Sequence, residues 1–214
     1  MKAIVPLASC VLLLAACSQP AAPTTAVQVS AQSDLSVADG RIVPLEKAKA
    51  AASEFSNTLK QRLMADLQAN GPAHSIGFCR DEAPKIARSI EQKHGVRLGR
   101  VPANGKLRNP SNAPSGWQQD VVDDFQSKFA QGQAANALVS VQRAGLPPGV
   151  ALRFAKGIAV QPACLTCHGS EVAAPVRDAI HRHYPDDKAT GLRVGDLRGA
   201  LWVEVPADHE QDGK

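Results

Sequence analysis

The run Val150-Ala151-Leu152-Arg153-Phe154-Ala155-Lys156-Gly157-Ile158-Ala159-Val160, followed closely by Cys164-Leu165-Thr166-Cys167-His168-Gly169, decides the architecture. The second stretch carries two cysteines separated by two residues and followed at once by a histidine. That is the attachment signature of c-type haem. Two thiols add across the two vinyl groups of one porphyrin, and the next residue comes under the iron, where an imidazole can bind it. Gly169 suits a chain that passes close to the ring. Helical bundles are the common scaffold for such a group, but the first stretch reads as a strand. The turn Gly145-Leu146-Pro147-Pro148-Gly149 precedes it, and Ala137 to Arg143 before that turn reads as another. Val96 to Val101 alternates like a strand, and Arg198 to Val205 reads as the last. A bundle has no place for this much β-like sequence.

Helical signals gather earlier in the chain. Leu45, Ala48, Ala52, Phe55, Leu59, Leu63 and Leu67 recur at spacings of three and four, and Asn70-Gly71-Pro72 closes the pattern near Ala69. A second helix is expected from Pro84, tolerable only in a first turn, to His94 before Gly95. Asn104 to Pro114 is a loop by composition. A third helix is expected from Ser115, with Gln118 completing a capping box and Trp117, Val121, Phe125 and Phe129 forming its apolar stripe. A short one follows near Val176 to His183. Helices early and strands late give an α+β fold with an antiparallel sheet.

Other uses of the cysteine pair fit less well. A four-cysteine zinc site needs a second pair at matching spacing, which the chain does not contain. A thioredoxin-like dithiol does not call for His168.

The N-terminus agrees with an exported haem protein. Met1-Lys2 is a short basic start, Ala3 to Ala16 is nearly all apolar, and the segment is too short for a comfortable membrane span. Leu14-Ala15-Ala16-Cys17 resembles a bacterial lipoprotein signal, in which Cys17 becomes the lipid-bearing first residue. Ser18 after it implies the outer membrane. The plainer alternative is a secreted protein cut elsewhere. The expected organisation is a signal peptide over 1–16, a tether over 17–40 rich in Ala, Ser, Thr, Gln and Pro, a haem domain over 41–206 and a polar tail over 207–214. The expected location is the bacterial cell envelope, lipid-anchored and facing the periplasm.

The chain has 5 cysteines. Cys10 leaves with the signal, Cys17 takes lipid, and Cys164 and Cys167 take haem, which leaves Cys79 without a disulfide partner. Ligation of iron would explain a lone thiol in an oxidising compartment; inert burial would explain it too. The formal charge of +4 falls to about +3 without the leader, with no basic cluster, so nucleic acid is not an expected partner. With two Trp, one Tyr and five Phe, the chain is short of large flat apolar side chains, and a buried porphyrin would supply that surface.

Several further stretches converge on one family: Ser75-Ile76-Gly77-Phe78-Cys79 with Ala83-Pro84, Leu107-Arg108-Asn109-Pro110-Ser111-Asn112-Ala113-Pro114, Tyr184-Pro185-Asp186, Ala189-Thr190-Gly191 and Gly195-Asp196-Leu197-Arg198-Gly199-Ala200. With the Cys164–Gly169 motif they resemble, from about Leu45 to Val205, the single-haem c-type proteins with a PAS-like fold. The resemblance implies an antiparallel sheet with flanking helices enclosing one covalent haem c. It also implies an unusual axial pair, which falls by motif match on His168 and Cys79.

A position for Cys79 just before a helix start would stabilise its thiolate, and a thiolate ligand implies a low midpoint potential. The rivals for that ligand are His74, then Met64, His181 and His183, while His94 and His209 read as solvated. Arg108, Asn109 and Asn112 are candidates to hold haem propionates, as are Arg193 and Arg198. The alternative for the asparagines is that they only shape a turn. Tyr184 either hydrogen-bonds near the ring or simply packs.

The expected function is one-electron transfer or redox sensing with an unidentified partner protein. The alternative is a gas sensor in which carbon monoxide or nitric oxide displaces Cys79. An enzyme, a thiolate-haem peroxidase or oxygenase, is disfavoured because His168 would have to leave the iron.

Overall fold

A computed structural model describes residues 43–207. The expected signal peptide, the lipid-bearing Cys17, the tether to residue 40, His209 and the tail beyond residue 207 lie outside the described residues.

The first element, α1 (Pro44–His94), is broken in its middle at Gly71. There φ is 77° and ψ is 168°, a conformation open to glycine and strained for other residues. α1 is therefore two arms, 44–70 and 72–94, meeting at a kink. This corrects the expected start of the second helix at Pro84. The second arm begins at Pro72, directly after the break, and Pro84 stands well inside it. Pro84 is exposed, so the carbonyl it leaves without an N–H partner is one turn away on the solvent side. The arm ends as expected at Gly95, in left-handed conformation (φ 59°, ψ 48°), with Lys93 and His94 in the last turn.

The strands are β1 (Arg97–Pro102), β2 (Val139–Gln142), β3 (Val150–Ala159) and β4 (Leu197–Pro206), and every pairing is antiparallel in the order β1-β4-β3-β2. Three helices complete the set: α2 (Trp117–Ala130), α3 (Leu165–His168) and α4 (Ala174–His183). The α+β expectation holds, and all four expected strands form. The capping box at Ser115 forms by half: the Gln118 side chain accepts from the Ser115 N–H at 3.3 Å, while Gly116 is the N-cap.

Two cores sandwich the sheet. On one face the first arm of α1, through Ala48, Phe55 and Leu59, packs with Leu98, Leu152, Phe154, Leu201 and Val203. On the other, Val122 and Phe125 of α2 pack with Val101, Ala155 and Ala200. Full burial of a side chain such as Phe55 or Leu152 contributes about 2 kcal/mol. The α2 stripe is turned slightly from expectation, with Val122 buried and Val121 and Phe129 only partly so. A third cluster ties the second arm of α1 to α4, through Ile76, Val176, Ile180 and Tyr184. Among the described residues, no helix is long and apolar enough to cross a membrane.

One irregularity matters for the site. Ile158 pairs with Gly199 and Ala159 with Leu197, so Arg198 is the extra residue of a bulge. The phase of β4 slips there: Leu197 and Ala200 both join the α2-side core, while Leu201 and Val203 face α1. Gly199 takes φ 151° at this point, and a Cβ on it would lie 2.1 Å from the Val101 carbonyl oxygen. Bulges commonly re-aim a side chain at a functional site.

Candidate functional site

A cleft opens where the kink of α1 meets one end of the sheet. The first arm contributes Leu59, Leu63 and Leu67, and the second contributes Ser75, Ile76 and Cys79. Leu63 and Leu67 continue the helical stripe that Phe55 and Leu59 begin, but they face the cleft instead of the sheet. The opposite wall is the segment carrying Cys164, Cys167 and His168, and Tyr184 closes the α4 end. The structure thus brings Cys79, Cys164, Cys167, His168 and Arg108 to one cleft, although they lie far apart in the chain.

His168 is held in one tautomer. Its Nδ1–H donates to the Ala189 carbonyl at 2.7 Å, leaving the Nε2 lone pair toward the cleft, where Arg198 Nη2 donates to it at 2.8 Å. Burial, followed by the charges of Arg198 and Arg108, pushes the imidazole pKa down to about 2. The ring is neutral, as a metal ligand must be, and its far nitrogen is fixed by a carbonyl, the usual support of a ligating histidine.

Cys79 departs from expectation in its surroundings. It lies within the second arm of α1, well past its start at Pro72, so the helix N-terminus does not stabilise its thiolate. Burial pushes its thiol pKa up, with Arg100, then Arg198 and Arg108, pulling the other way. Burial likewise raises Cys167 and Tyr184.

Arg108 is committed to protein partners. Its Nε and Nη2 bond both carboxylate oxygens of Asp187 at 2.8 and 3.2 Å, and Nη2 also bonds the Cys167 carbonyl at 2.7 Å. Its side chain and that of Asp187 are 12% and 8% exposed, so this is a buried bidentate pair clasping the cysteine motif. Asn109 shapes the backbone by accepting from the Ser111 N–H at 3.0 Å. Arg193 is exposed.

Among the rival ligands, His74 is exposed beside Asp66, and His183 contacts Arg80 Nη1 through Nδ1 at 3.0 Å. His94, expected to be solvated, is instead half-buried and joined to Glu54 by its Nε2 at 2.7 Å.

Arg100 is a cleft residue that the sequence reading missed. Its signal was present: it falls in phase with Val96 and Leu98, both of the α1-side core. A charge in the inward register of a strand needs a reason.

Among the described residues, no three His, Cys, Asp or Glu side chains converge closely enough to hold a bare metal ion. The sulfurs and imidazole are spread around an apolar slot that also holds cations. Such a set suits a flat apolar group with a metal at its centre and acids at its edge.

The model of the Tll0287-like family matches residues 30–206. The crystal structure of the cyanobacterial heme-protein Tll0287 is similar, with 26% identity, coverage of 71% of this chain and 92% of that one, and a TM-score of 0.48. No curated protein matches. With its match running from before α1 to the end of β4, this chain belongs to the Tll0287-like family.

Proposed function

We propose that this protein holds one covalent haem c and acts in one-electron transfer or redox sensing at the bacterial cell envelope, anchored to the outer membrane by lipid on Cys17 and facing the periplasm. The carrying observation is the neutral His168 imidazole, fixed through Nδ1 and facing the same cleft as Cys79 and the two motif thiols. The residues fit the group. Cys164 and Cys167 would bind it covalently, His168 and Cys79 would be its axial ligands, and Leu59, Leu63, Leu67 and Ile76 would cover its faces. When bound, haem supplies a reversible ferric–ferrous couple.

The chain's own contribution is placement and exclusion. Ala189 holds the His168 ring, Arg108 and Asp187 hold the motif backbone, and the leucines of α1 line the cleft with Cys79 as an apolar wall. With His168 and Cys79 both holding it, the iron would have no open position for substrate, which favours a carrier or sensor over an enzyme.

Expression in a periplasm that matures c-type haem tests this. The expected product has one covalent haem and a low-spin ferric spectrum with thiolate character. Cys79→Ala should remove that character and raise the midpoint potential by on the order of 100 mV or more. A ferric spectrum unchanged by Cys79→Ala would overturn the axial assignment.

Burial of Cys79 favours its neutral thiol, and this supports a second reading in which carbon monoxide or nitric oxide displaces the sulfur in the reduced protein. A ferrous spectrum indifferent to both gases rules it out.

A further inference from the structure

We infer that Arg100 and Arg198 form a carboxylate-binding pair that receives the two propionate groups of the porphyrin. The inference rests on the haem reading above and gives that site its acid-recognising element.

Of the four half-buried arginines in the sheet and its flanking loops, Arg100, Arg108, Arg153 and Arg198, two have an acid. Arg108 has Asp187, and Arg153 has Glu204. Arg100 and Arg198 form no salt bridge with any carboxylate among the described residues. The groups of negative sense that act on them are Cys79 and Tyr184 for Arg100, and Cys164, Cys79 and Cys167 for Arg198. All are neutral when protonated. Each arginine is also sunk deeply enough for burial to lower its pKa, to about 10 for Arg100, and the charge of Arg198 adds to the effect there.

Two guanidinium groups sharing one apolar cleft without a counter-charge are costly to the fold. Yet two separate backbone devices bring them together. Arg100 occupies the inward register of β1, in phase with Leu98, and its Cζ lies 5.8 Å from the Phe55 ring centroid. Arg198 is turned in by the bulge of β4, whose close backbone approach only glycine at 199 allows. Of the other cations of the wall, Arg108 has Asp187 and Lys106 is bonded to the Thr190 carbonyl at 3.0 Å. The cleft therefore offers two guanidinium groups without a carboxylate, Arg198 meeting only the neutral His168 Nε2 at 2.8 Å, and a porphyrin brings two carboxylates. Guanidinium is the group best shaped to take a carboxylate through two N–H donors.

The test uses iron mesoporphyrin, whose ethyl groups cannot add to the thiols, and its dimethyl ester, which lacks the acids. Each is titrated into the full chain produced without haem. The unsubstituted protein should bind the diacid about 100-fold more tightly than the ester. Arg100→Gln and Arg198→Gln should each cut diacid affinity about tenfold and leave ester affinity within about twofold. Equal affinity of the unsubstituted protein for diacid and ester overturns the pair, even where covalent haem forms normally. That arm needs no variant to fold. Failure to bind either porphyrin, together with no covalent haem on periplasmic expression, overturns the haem reading itself.

Discussion

The two faces of the sheet treat arginine in opposite ways. On the α2 face, Glu204 of β4 sits between its register partners Arg97 and Arg153, bonding them at 2.7 and 2.9 Å. The Arg153 Cζ lies 4.9 Å from the centroid of Trp117, which meets Trp202 edge to face at 5.9 Å. Charge, counter-charge and aromatic surface are all provided by the chain. On the α1 face, at the cleft, Arg100 and Arg198 meet sulfur, phenol and imidazole but no acid. One face pairs its arginines within the polypeptide; the other leaves two without an acid, which on the proposed reading the porphyrin supplies.

The largest expected effect breaks the complete face. Glu204→Gln leaves Arg153 buried without its partner and should cost about 3 kcal/mol in urea unfolding. The haem spectrum should not change. The next concerns the imidazole of the incomplete face. In the haem-free chain His168 stays neutral down to about pH 2, whereas the unfolded chain takes up that proton from about pH 6.5. The unfolded state then binds the extra proton, so stability is present above pH 6.5 and is lost as pH falls. The slope should approach about 1.4 kcal/mol per pH unit once the pH is a unit or more below 6.5. His168→Gln should remove most of that slope, and a slope shared equally by both proteins would refute the assignment.

The smallest effect has the opposite sign. Arg100→Leu removes an unmatched buried charge, so the haem-free chain should gain about 1 kcal/mol in the same unfolding measurement. A loss of stability there would mean that Arg100 supports the fold and would erase the contrast between the faces.

Much of this arrangement was legible in the residues. The apolar period of Leu45 to Leu67 and the turn chemistry of Gly145 to Gly149 each have a single good physical solution, and Cys164, Cys167 and His168 do come together with Cys79 in one cleft. What stayed hidden depended on partners brought from elsewhere in the chain. Pro84 reads locally as a helix start, because a proline inside a helix is costly. The solvent beside Pro84 makes the interior position tolerable. That local ambiguity carried Cys79 to the wrong place relative to the helix terminus. His94 reads as solvated until Glu54 is set beside it. Arg198 was a candidate, but the bulge that re-aims it cannot be read from residues 197–200 alone, because it is a mismatch of count with β3. Arg100 was the avoidable omission, since its phase with Leu98 was visible.

The strand order has a kinetic consequence. Among the described residues β4 is the last strand made, yet it lies inside the sheet, with β1 on one side and β3 on the other. Its pairing joins residue 97 to residue 204. Such distant contacts repay their loop-closure cost late, so sheet closure should be the slow step of folding. Until residues 197–206 have emerged and inserted, β1 and β3 are separate edges and Arg198 is not at the cleft. The nascent chain can display its thiols before it has a finished site, and it needs its own final strand to become one domain.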